Sequence, residues 1–186
     1  AVVVVIHRGN PTENLALDVL KRIYQGLTTN WSEVGAPALN IQPVFPPSES
    51  DMAGFFIERV MQGQAVQARV LTAASDSAVV ATVAARPGAI GLVSLAWADR
   101  GAKALRLSAM TGLPYFLPDA ETVYRGDYPL ARSLNFYVRE SGPRLAHGFI
   151  TYVTSGEGQQ LVHESGLVPT SVPVRFVRRS PLRGAH

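Results

Sequence analysis

The residues best suited to bind a ligand stand at two predicted helix starts. Ser48-Glu49-Ser50-Asp51 follows Pro46-Pro47 and precedes an apolar helical pattern, and Ser75-Asp76-Ser77 precedes another. The first turn of a helix carries backbone N–H groups without intrahelical partners and the positive end of the helix dipole, so it can bind an oxyanion without a metal or a lysine. Serine and aspartate also stand at helix starts simply as caps. If a ligand binds, we predict that it contacts Ser50, Asp51, Met52, Ser75 and Asp76.

The sequence lacks the catalytic motifs that are typical of common enzyme classes. There is no G-x-S-x-G nucleophile elbow, no G-x-x-x-x-G-K-[ST] phosphate loop and no H-E-x-x-H zinc motif. No nucleophile and base stand in a recognisable arrangement either. We therefore predict that the protein has no catalytic residues and is not an enzyme.

The sequence also offers no pattern for a metal or a cofactor. It contains no cysteine, and its four histidines are far apart without ligand-like spacing. Gly156-Glu157-Gly158 lacks the third glycine and the preceding strand of a dinucleotide fingerprint, and we interpret it as a break between two C-terminal helices. We predict no metal site and no cofactor.

Length and composition indicate a folded protein with a core of its own. The chain has 186 residues, of which 47% are hydrophobic and only 17% charged. The net charge of +3 comes from a basic C-terminal tail, 175–186, that carries four arginines and no acid, so the remainder is nearly neutral. Without a recognition motif this predicts no nucleic-acid binding. No apolar run reaches the roughly 18–20 residues of a membrane-spanning helix, so we predict no membrane insertion.

Helical and strand patterns alternate along the chain. An amphipathic helix bearing Leu15, Leu20 and Tyr24 is closed by Gly26, and Trp31 is predicted to anchor the core behind it. Further helices follow the two polar starts, the second ending near Arg86, and another begins at Pro143; residues 109–132 read as irregular. Strands are predicted over 2–7, 41–45, 89–95, 104–108 and 134–138. This alternation predicts an α/β fold with a mostly parallel sheet flanked by helices.

Four sequence blocks, in order over nearly the whole chain, resemble the phosphate-binding proteins of ABC importers. They are 20–26 (LKRIYQG) with 29–35 (TNWSEVG), 87–93 (PGAIGLV), 128–132 (YPLAR), and 155–159 (SGEGQ) with 166–169 (GLVP). The resemblance implies a periplasmic-binding-protein-like fold of type II and a non-enzymatic, exported protein. Its partners would be a small anion such as phosphate and an ABC transporter permease. The protein would be periplasmic or extracellular, with its signal peptide outside this chain.

The resemblance also implies a division of the chain. Residues 1–174 would form the binding-protein domain, with 9–131 as the second lobe. Residues 1–8 and 132–174 would supply the crossover strands, Val2–His7 and Leu134–Val138, together with a remnant of the first lobe. Relatives begin with a further first-lobe segment that supplies about half of the phosphate ligands, and we expect this chain to start after it.

The ligand motif of the second lobe departs from the family pattern. Relatives carry an arginine followed by Ser-Gly-Thr at a helix start. Alignment on Phe56 puts Pro46 at the arginine and Ser50-Asp51-Met52 at the triplet. Only Ser50 keeps its type, and Asp51 puts a negative charge where an anion would bind.

Two functional hypotheses follow. The first is a solute-binding domain that binds a small oxyanion such as phosphate at helix starts. The second is a degenerate binding-protein scaffold that acts as an interaction or sensory module without phosphate. Exposed edges of an incomplete lobe further predict a homodimer or strand exchange.

Overall fold

A computed structural model describes residues 1–139 and 144–170. The basic tail and the predicted helix start at Pro143 lie outside these residues. The described strands are β1 Val2–Ile6, β2 Asn14–Ala16, β3 Gln42–Phe45, β4 Leu71–Thr72, β5 Ala89–Ser94, β6 Lys103–Ala104 and β7 Arg106–Ser108. The α-helices are α1 Leu17–Tyr24, α2 Asp51–Arg59, α3 Asp76–Ala84, α4 Ala120–Arg125, α5 Arg144–Thr154 and α6 Gly156–Glu164.

A five-stranded mixed sheet in the order β4-β3-β5-β1-β6 forms the centre of the fold. Strand β3 runs parallel to both β4 and β5, whereas β1 runs antiparallel to β5 and β6. In the antiparallel pair, Val2 stands opposite Ser94 and Ile6 opposite Ile90. The α/β fold with a sheet flanked by helices is as predicted.

Strand β1 is buried on both of its faces. Val2, Val4 and Ile6 contribute to one apolar cluster, and Val3 and Val5 contribute to the other. A strand covered on both sides has no solvent-facing position, and for this reason its sequence is an unbroken run of β-branched residues rather than an alternating pattern.

The larger cluster packs α1 and α2 on one face of the sheet. Tyr24, Phe45 and Phe56 meet there with ring centroids 4.7–5.6 Å apart in tilted or edge-on arrangements. The Tyr24 hydroxyl donates to the carbonyl oxygen of Val44 at 3.0 Å. Burial raises the pKa of Tyr24, so the phenol stays neutral and keeps its proton for this bond.

Helix α3 covers the opposite face. Val79, Val80 and Val83 turn inward from it, and it lies against β5. Gly91 of β5 allows the close approach, because a Cβ atom there would lie 2.6 Å from Cγ1 of Val79. The buried side of α3 faces the sheet, and its polar start, 75–77, lies at one end of the sheet.

Five sequence predictions need correction. Leu15 belongs to β2 rather than to α1, which begins at Leu17. The strand predicted over 104–108 is divided: β6 pairs with β1, and β7 pairs in parallel with β2. Leu105 and Leu107 are nevertheless buried in one cluster. The division arises because Asn14–Ala16 offers β7 a second partner, which the local pattern could not reveal.

The third and fourth corrections concern the segments after β7. Within 109–132, read as irregular, the structure contains α4, which is capped by Asp119 and followed by Gly126 at φ +77°. The strand predicted over 134–138 is not formed. A strand requires hydrogen-bond partners for its backbone, and among the described residues none pairs with this segment.

The predicted break between the C-terminal helices lies one residue earlier than expected. Ser155 separates α5 from α6, and Gly156, Glu157 and Gly158 form the first turn of α6. The break exists because the Ser155 side chain caps the new helix, accepting from the amide of Gly158 at 3.2 Å.

Candidate functional site

The two polar helix starts lie at the same edge of the sheet. Strands β3, β4 and β5 are parallel, so their carboxyl ends meet at one edge. Helix α2 begins after β3, α3 begins after β4, and a 3-10 turn over Leu95–Trp97 follows β5. We call this region the carboxyl edge. The residues predicted to contact a ligand, 50–52 and 75–76, are therefore at one end of the molecule.

The start of α2 has two backbone donors that are unpaired within the described part of the chain. Ser50 caps the helix, accepting from the amide of Ala53 at 3.2 Å, and its hydroxyl donates to the carbonyl oxygen of Pro47 at 2.8 Å. The hydroxyl proton of Ser50 is therefore already used. The amides of Asp51 and Met52 have no hydrogen-bond acceptor among the described residues. These amides, rather than the Ser50 hydroxyl, are the donors available to an anion.

The start of α3 is tied to the neighbouring strand. Ser75 caps it, accepting from the amide of Ala78 at 3.3 Å, and its hydroxyl lies 3.0 Å from that of Ser77. The Asp76 carboxylate accepts from the amide of Ser94 at 3.1 Å and also from the Ser94 hydroxyl. Asp76 therefore fixes α3 to the end of β5, a structural role that sequence reasoning did not separate from ligand binding.

A cation that sequence reasoning did not assign also lies at the carboxyl edge. The guanidinium carbon of Arg132 stands 5.8 Å from the ring centroid of Phe55 in α2. Side chains on a helix point toward its amino terminus, so this contact puts the positive charge near the start of α2. The signal in the sequence was the Y-P-L-A-R block itself, which ends on Arg132.

The residues before Arg132 hold it in place. The Tyr128 hydroxyl donates to the carbonyl oxygen of Val2 at 3.1 Å. The amide of Val2 in turn donates to the carbonyl oxygen of Leu130 at 3.0 Å. Arg59 of α2 donates through Nε to the carbonyl oxygen of Pro129 at 3.2 Å. The 128–130 segment is thus bound both to the amino end of β1 and to α2. These bonds fix the backbone from which the Arg132 side chain extends.

Carboxylates share this edge with the cation. Glu49, Asp51 and Asp76 all belong to the two helix starts. Glu49 accepts from the Ser48 hydroxyl at 2.6 Å, which lowers the pKa of its carboxyl and keeps it ionised. The edge therefore offers backbone donors and the Arg132 guanidinium to an anion while opposing it with negative charge.

Two further family-like blocks have structural roles. The Trp31 indole is fully buried and donates through Nε1 to the carbonyl oxygen of Gly88 at 3.0 Å. Gly88 has no room for a side chain, because a Cβ atom there would lie 2.2 Å from the carbonyl oxygen of Asn40. Trp31 is the core anchor that the sequence predicted. Its hydrogen bond to Gly88 joins the block at 29–35 to the block at 87–93.

The S-G-E-G-Q block holds the C-terminal helices together. A Cβ atom at Gly158 would lie 2.1 Å from the carbonyl oxygen of Tyr152, so only glycine fits there. Gln159 donates through Nε2 to the carbonyl oxygen of Val153 at 2.7 Å, and its Oε1 accepts from the amide of Thr170 at 2.6 Å. These contacts connect α5, α6 and the segment after them.

Two surface clefts lie at the opposite edge of the sheet, where β1 ends and β5 begins. One has a volume of about 260 Å³ and the other about 290 Å³. The predicted ligand residues line neither of them. The first is lined by Pro11, Thr12, Glu13, Asn14 and 34–36, and the second by His7, Gly9, Asn10, Pro11, Pro37, Leu39 and Pro87. We favour the carboxyl edge because the free helix amides are there.

Residues 1–139 and 144–170 contain no group of three or more histidine, aspartate or glutamate side chains placed to hold a metal ion. In the same ranges, every helix is too short or too polar to cross a bilayer.

Comparison with known proteins identifies the family. Residues 1–157 match the model of the PBP superfamily domain. The phosphate-binding protein PstS of Bacillus subtilis (strain 168) is 28% identical over 161 residues, which are 86% of this chain and 51% of that protein. The chain thus spans about half the length of this relative.

Solved structures agree with this assignment. A putative phosphate ABC transporter substrate-binding protein with bound phosphate from Clostridium perfringens is 25% identical, with a TM-score of 0.72 over 91% of this chain and 68% of that one. A possible phosphate-binding protein from Planctomyces limnophilus is 26% identical, with a TM-score of 0.75 over 91% and 64%. The chain therefore belongs to the PBP superfamily, and its relatives there include phosphate-binding proteins of ABC transporters, as the sequence motifs predicted.

Proposed function

We propose that this chain is a non-enzymatic solute-binding domain that binds a small oxyanion, with phosphate as the first candidate, at the carboxyl edge of its sheet. The observation that carries the proposal is the capped start of α2, where the amides of Asp51 and Met52 have no acceptor within residues 1–139 and 144–170. Relatives named for phosphate binding support the choice of ligand.

The geometry of a helix start favours an anion. Aligned peptide dipoles place about half a positive charge at this end, which contributes roughly 0.3–1 kcal/mol to an exposed anionic group. Two adjacent amides can donate to two oxygens of one phosphate, as at other phosphate-binding helix termini. The start of α3 stands at the same edge and adds the amides of Asp76 and Ser77, which have no acceptor among the described residues.

Arg132 supplies the positive charge in this proposal. Its position over Phe55 takes over the role that the family pattern gives to an arginine where this chain has Pro46. The carboxylate of Asp51 opposes the ligand, so we expect weaker binding than at a site with an arginine and no acid.

The proposed biological role follows from the relatives. The domain would capture its anion outside the cytoplasmic membrane, in the periplasm or at the cell surface, and deliver it to the permease of an ABC transporter. The matched part is only about half of the Bacillus subtilis phosphate-binding protein, so the role of this chain in delivering the anion is part of the proposal.

A matched pair of substitutions tests the site. Proline at position 51 removes the amide donor and is tolerated at the first position of a helix. Ser50 has ψ 148°, which the residue before a proline adopts readily. Asp51→Ala removes the same carboxylate but keeps the amide, so the difference between Asp51→Pro and Asp51→Ala isolates one hydrogen bond. The measurement is calorimetric titration of each variant with inorganic phosphate.

We expect Asp51→Ala to bind phosphate at least as tightly as the unchanged chain. Asp51→Pro should bind about 10- to 150-fold more weakly than Asp51→Ala, because a hydrogen bond to a charged group contributes roughly 1.5–3 kcal/mol. Equal affinities for the two variants would remove the start of α2 from the site. Absence of saturable phosphate binding by the unchanged chain at millimolar concentrations would refute phosphate as its ligand and favour the interaction-module hypothesis.

A further inference from the structure

The first turn of α3 has no fully buried side chain. Ser75 and Ser77 are exposed, and their hydroxyls contact each other rather than the sheet. The buried side chains of the helix begin only at Val79. The bond between this turn and the sheet comes from Asp76, whose carboxylate accepts from the amide and from the hydroxyl of Ser94 at the end of β5. The position of the helix start therefore depends on this one carboxylate.

The contact between Asp76 and Ser94 uses a single carboxylate oxygen. Both donors of Ser94 reach Oδ2 of Asp76, the amide at 3.1 Å, whereas Oδ1 accepts no hydrogen bond from the part of the chain that the structure describes. An asparagine side chain has the same shape and could place its oxygen where Oδ2 lies. The contact thus requires an acceptor oxygen at this place, while the negative charge only strengthens it.

Asp51 and Asp76 occupy the same position in neighbouring helices. Each is the first residue of its helix, directly after a serine that caps it. Asp51 is exposed, and its carboxylate accepts no hydrogen bond within residues 1–139 and 144–170. Both aspartates bring negative charge to the carboxyl edge, but only Asp76 also bonds to another element of the fold.

We propose that Asp76 is a positioning residue of the anion site, whose bonds to Ser94 hold the amides of Asp76 and Ser77 in place at the carboxyl edge. This inference rests on the proposed function and adds a side chain that acts on the ligand only through the helix start. Without the bonds to Ser94 the first turn of α3 can move away from β5. Its two amides then lose the fixed direction that a hydrogen bond to an anion needs.

Four variants separate positioning from charge. They are Asp76→Asn and Asp76→Ala, with Asp51→Asn and Asp51→Ala as the matched control pair. Both members of a pair lack the negative charge, so a difference within a pair reports the acceptor oxygen alone. In calorimetric titration with inorganic phosphate, Asp76→Ala should bind about 2- to 12-fold more weakly than Asp76→Asn, the worth of roughly one neutral hydrogen bond. The two variants of Asp51 should bind phosphate with the same affinity.

Hydrogen exchange supplies a readout that does not involve phosphate. The Ser94 amide should exchange slowly in the unchanged chain and in Asp76→Asn, and faster in Asp76→Ala, because its acceptor is then missing. Asn30→Ala controls for a general loss of stability. The Asn30 side chain accepts from the amides of Ser32 and Leu39 at 3.0 and 3.1 Å, at the opposite edge of the sheet. Its loss should destabilise the chain but leave phosphate affinity unchanged.

The possible failures are distinguishable. Equal phosphate affinities of Asp76→Asn and Asp76→Ala would overturn the positioning role and leave the proposed function intact. The same conclusion would follow if the Ser94 amide exchanged at one rate in all forms, or if Asn30→Ala lost as much affinity as Asp76→Ala. Absence of saturable phosphate binding by the unchanged chain would refute the proposed function itself, and the positioning role with it.

Discussion

Replacement of Gly91 by alanine should destabilise the fold through one defined contact. Gly91 lies in β5 opposite Val5 of β1, and it faces α3 across the smaller apolar cluster. An alanine Cβ would lie 2.6 Å from Cγ1 of Val79 and 3.3 Å from Cγ2 of Val83. A distance below 3.0 Å cannot be kept, so either α3 or a valine side chain has to move.

The neighbours leave little freedom for that movement. Val79 and Val83 are buried and belong to a helix, where a β-branched side chain strongly prefers one rotamer. Overpacking of a well-filled core costs roughly 1–3 kcal/mol. For a chain of this length that corresponds to a fall in melting temperature of about 2–12 °C. The displaced helix also carries the 75–77 start, so the carboxyl edge should lose phosphate affinity as well.

Urea unfolding of Gly91→Ala and Gly54→Ala provides the measurement and its control. A Cβ atom at Gly54, inside α2, would meet nothing within 4 Å. Gly54→Ala should therefore stabilise the chain by about 0.5–1 kcal/mol through helix propensity. If Gly91→Ala unfolds at the same urea concentration as the unchanged chain or a higher one, Gly91 does not limit the approach of α3 and the packing argument is wrong.

Two further predictions concern charge. Asp51→Asn should tighten phosphate binding about threefold at low salt, because unit charges roughly 6 Å apart in water repel by about 0.7 kcal/mol. Glu58→Gln, two turns further along α2, is the control and should change the affinity little. Equal gains in affinity for the two variants would contradict a site at the helix start. Glu33 accepts from the amides of Thr29 and Asn30, both at 2.9 Å, and these bonds lower the pKa of its carboxyl below the usual 4.5. The contribution of Glu33 to stability is therefore present above pH 4.5 and is lost as the pH falls through the lowered pKa. In urea unfolding, Glu33→Gln should be less stable than the unchanged chain at pH 7, and this loss of stability should shrink on acidification. A loss of stability that is independent of pH would refute this role.

Local chemistry accounts for the elements that the sequence predicted well. Ser50 and Ser75 cap α2 and α3 as expected, and Gly26 follows α1 with φ +75°. The β-branched run of β1 is a buried strand. Caps, glycine turns and apolar periodicity depend on residues within one or two turns of the chain, so a sequence contains all the information that they need.

Strand pairing could not be predicted in the same way. Residues 104–108 and 134–138 both have strand patterns, yet the first is divided between two sheets and the second is left without a partner among the described residues. A strand is completed by hydrogen bonds to residues far away in sequence. Its fate therefore depends on which neighbours the whole fold brings to it, not on its own pattern.

The carboxyl edge shows the same division. The sequence alone determined the family, the α/β class and the two polar helix starts, because these reside in short motifs and caps. Only the tertiary structure decided that Asp76 binds Ser94, that the Ser50 proton is donated to Pro47, and that Arg132 stands over Phe55. The contact of Arg132 with Phe55 joins residues 77 positions apart, and their distance is set by the packing of β1, α2 and the 128–130 segment, so the positive charge at the carboxyl edge follows from the fold.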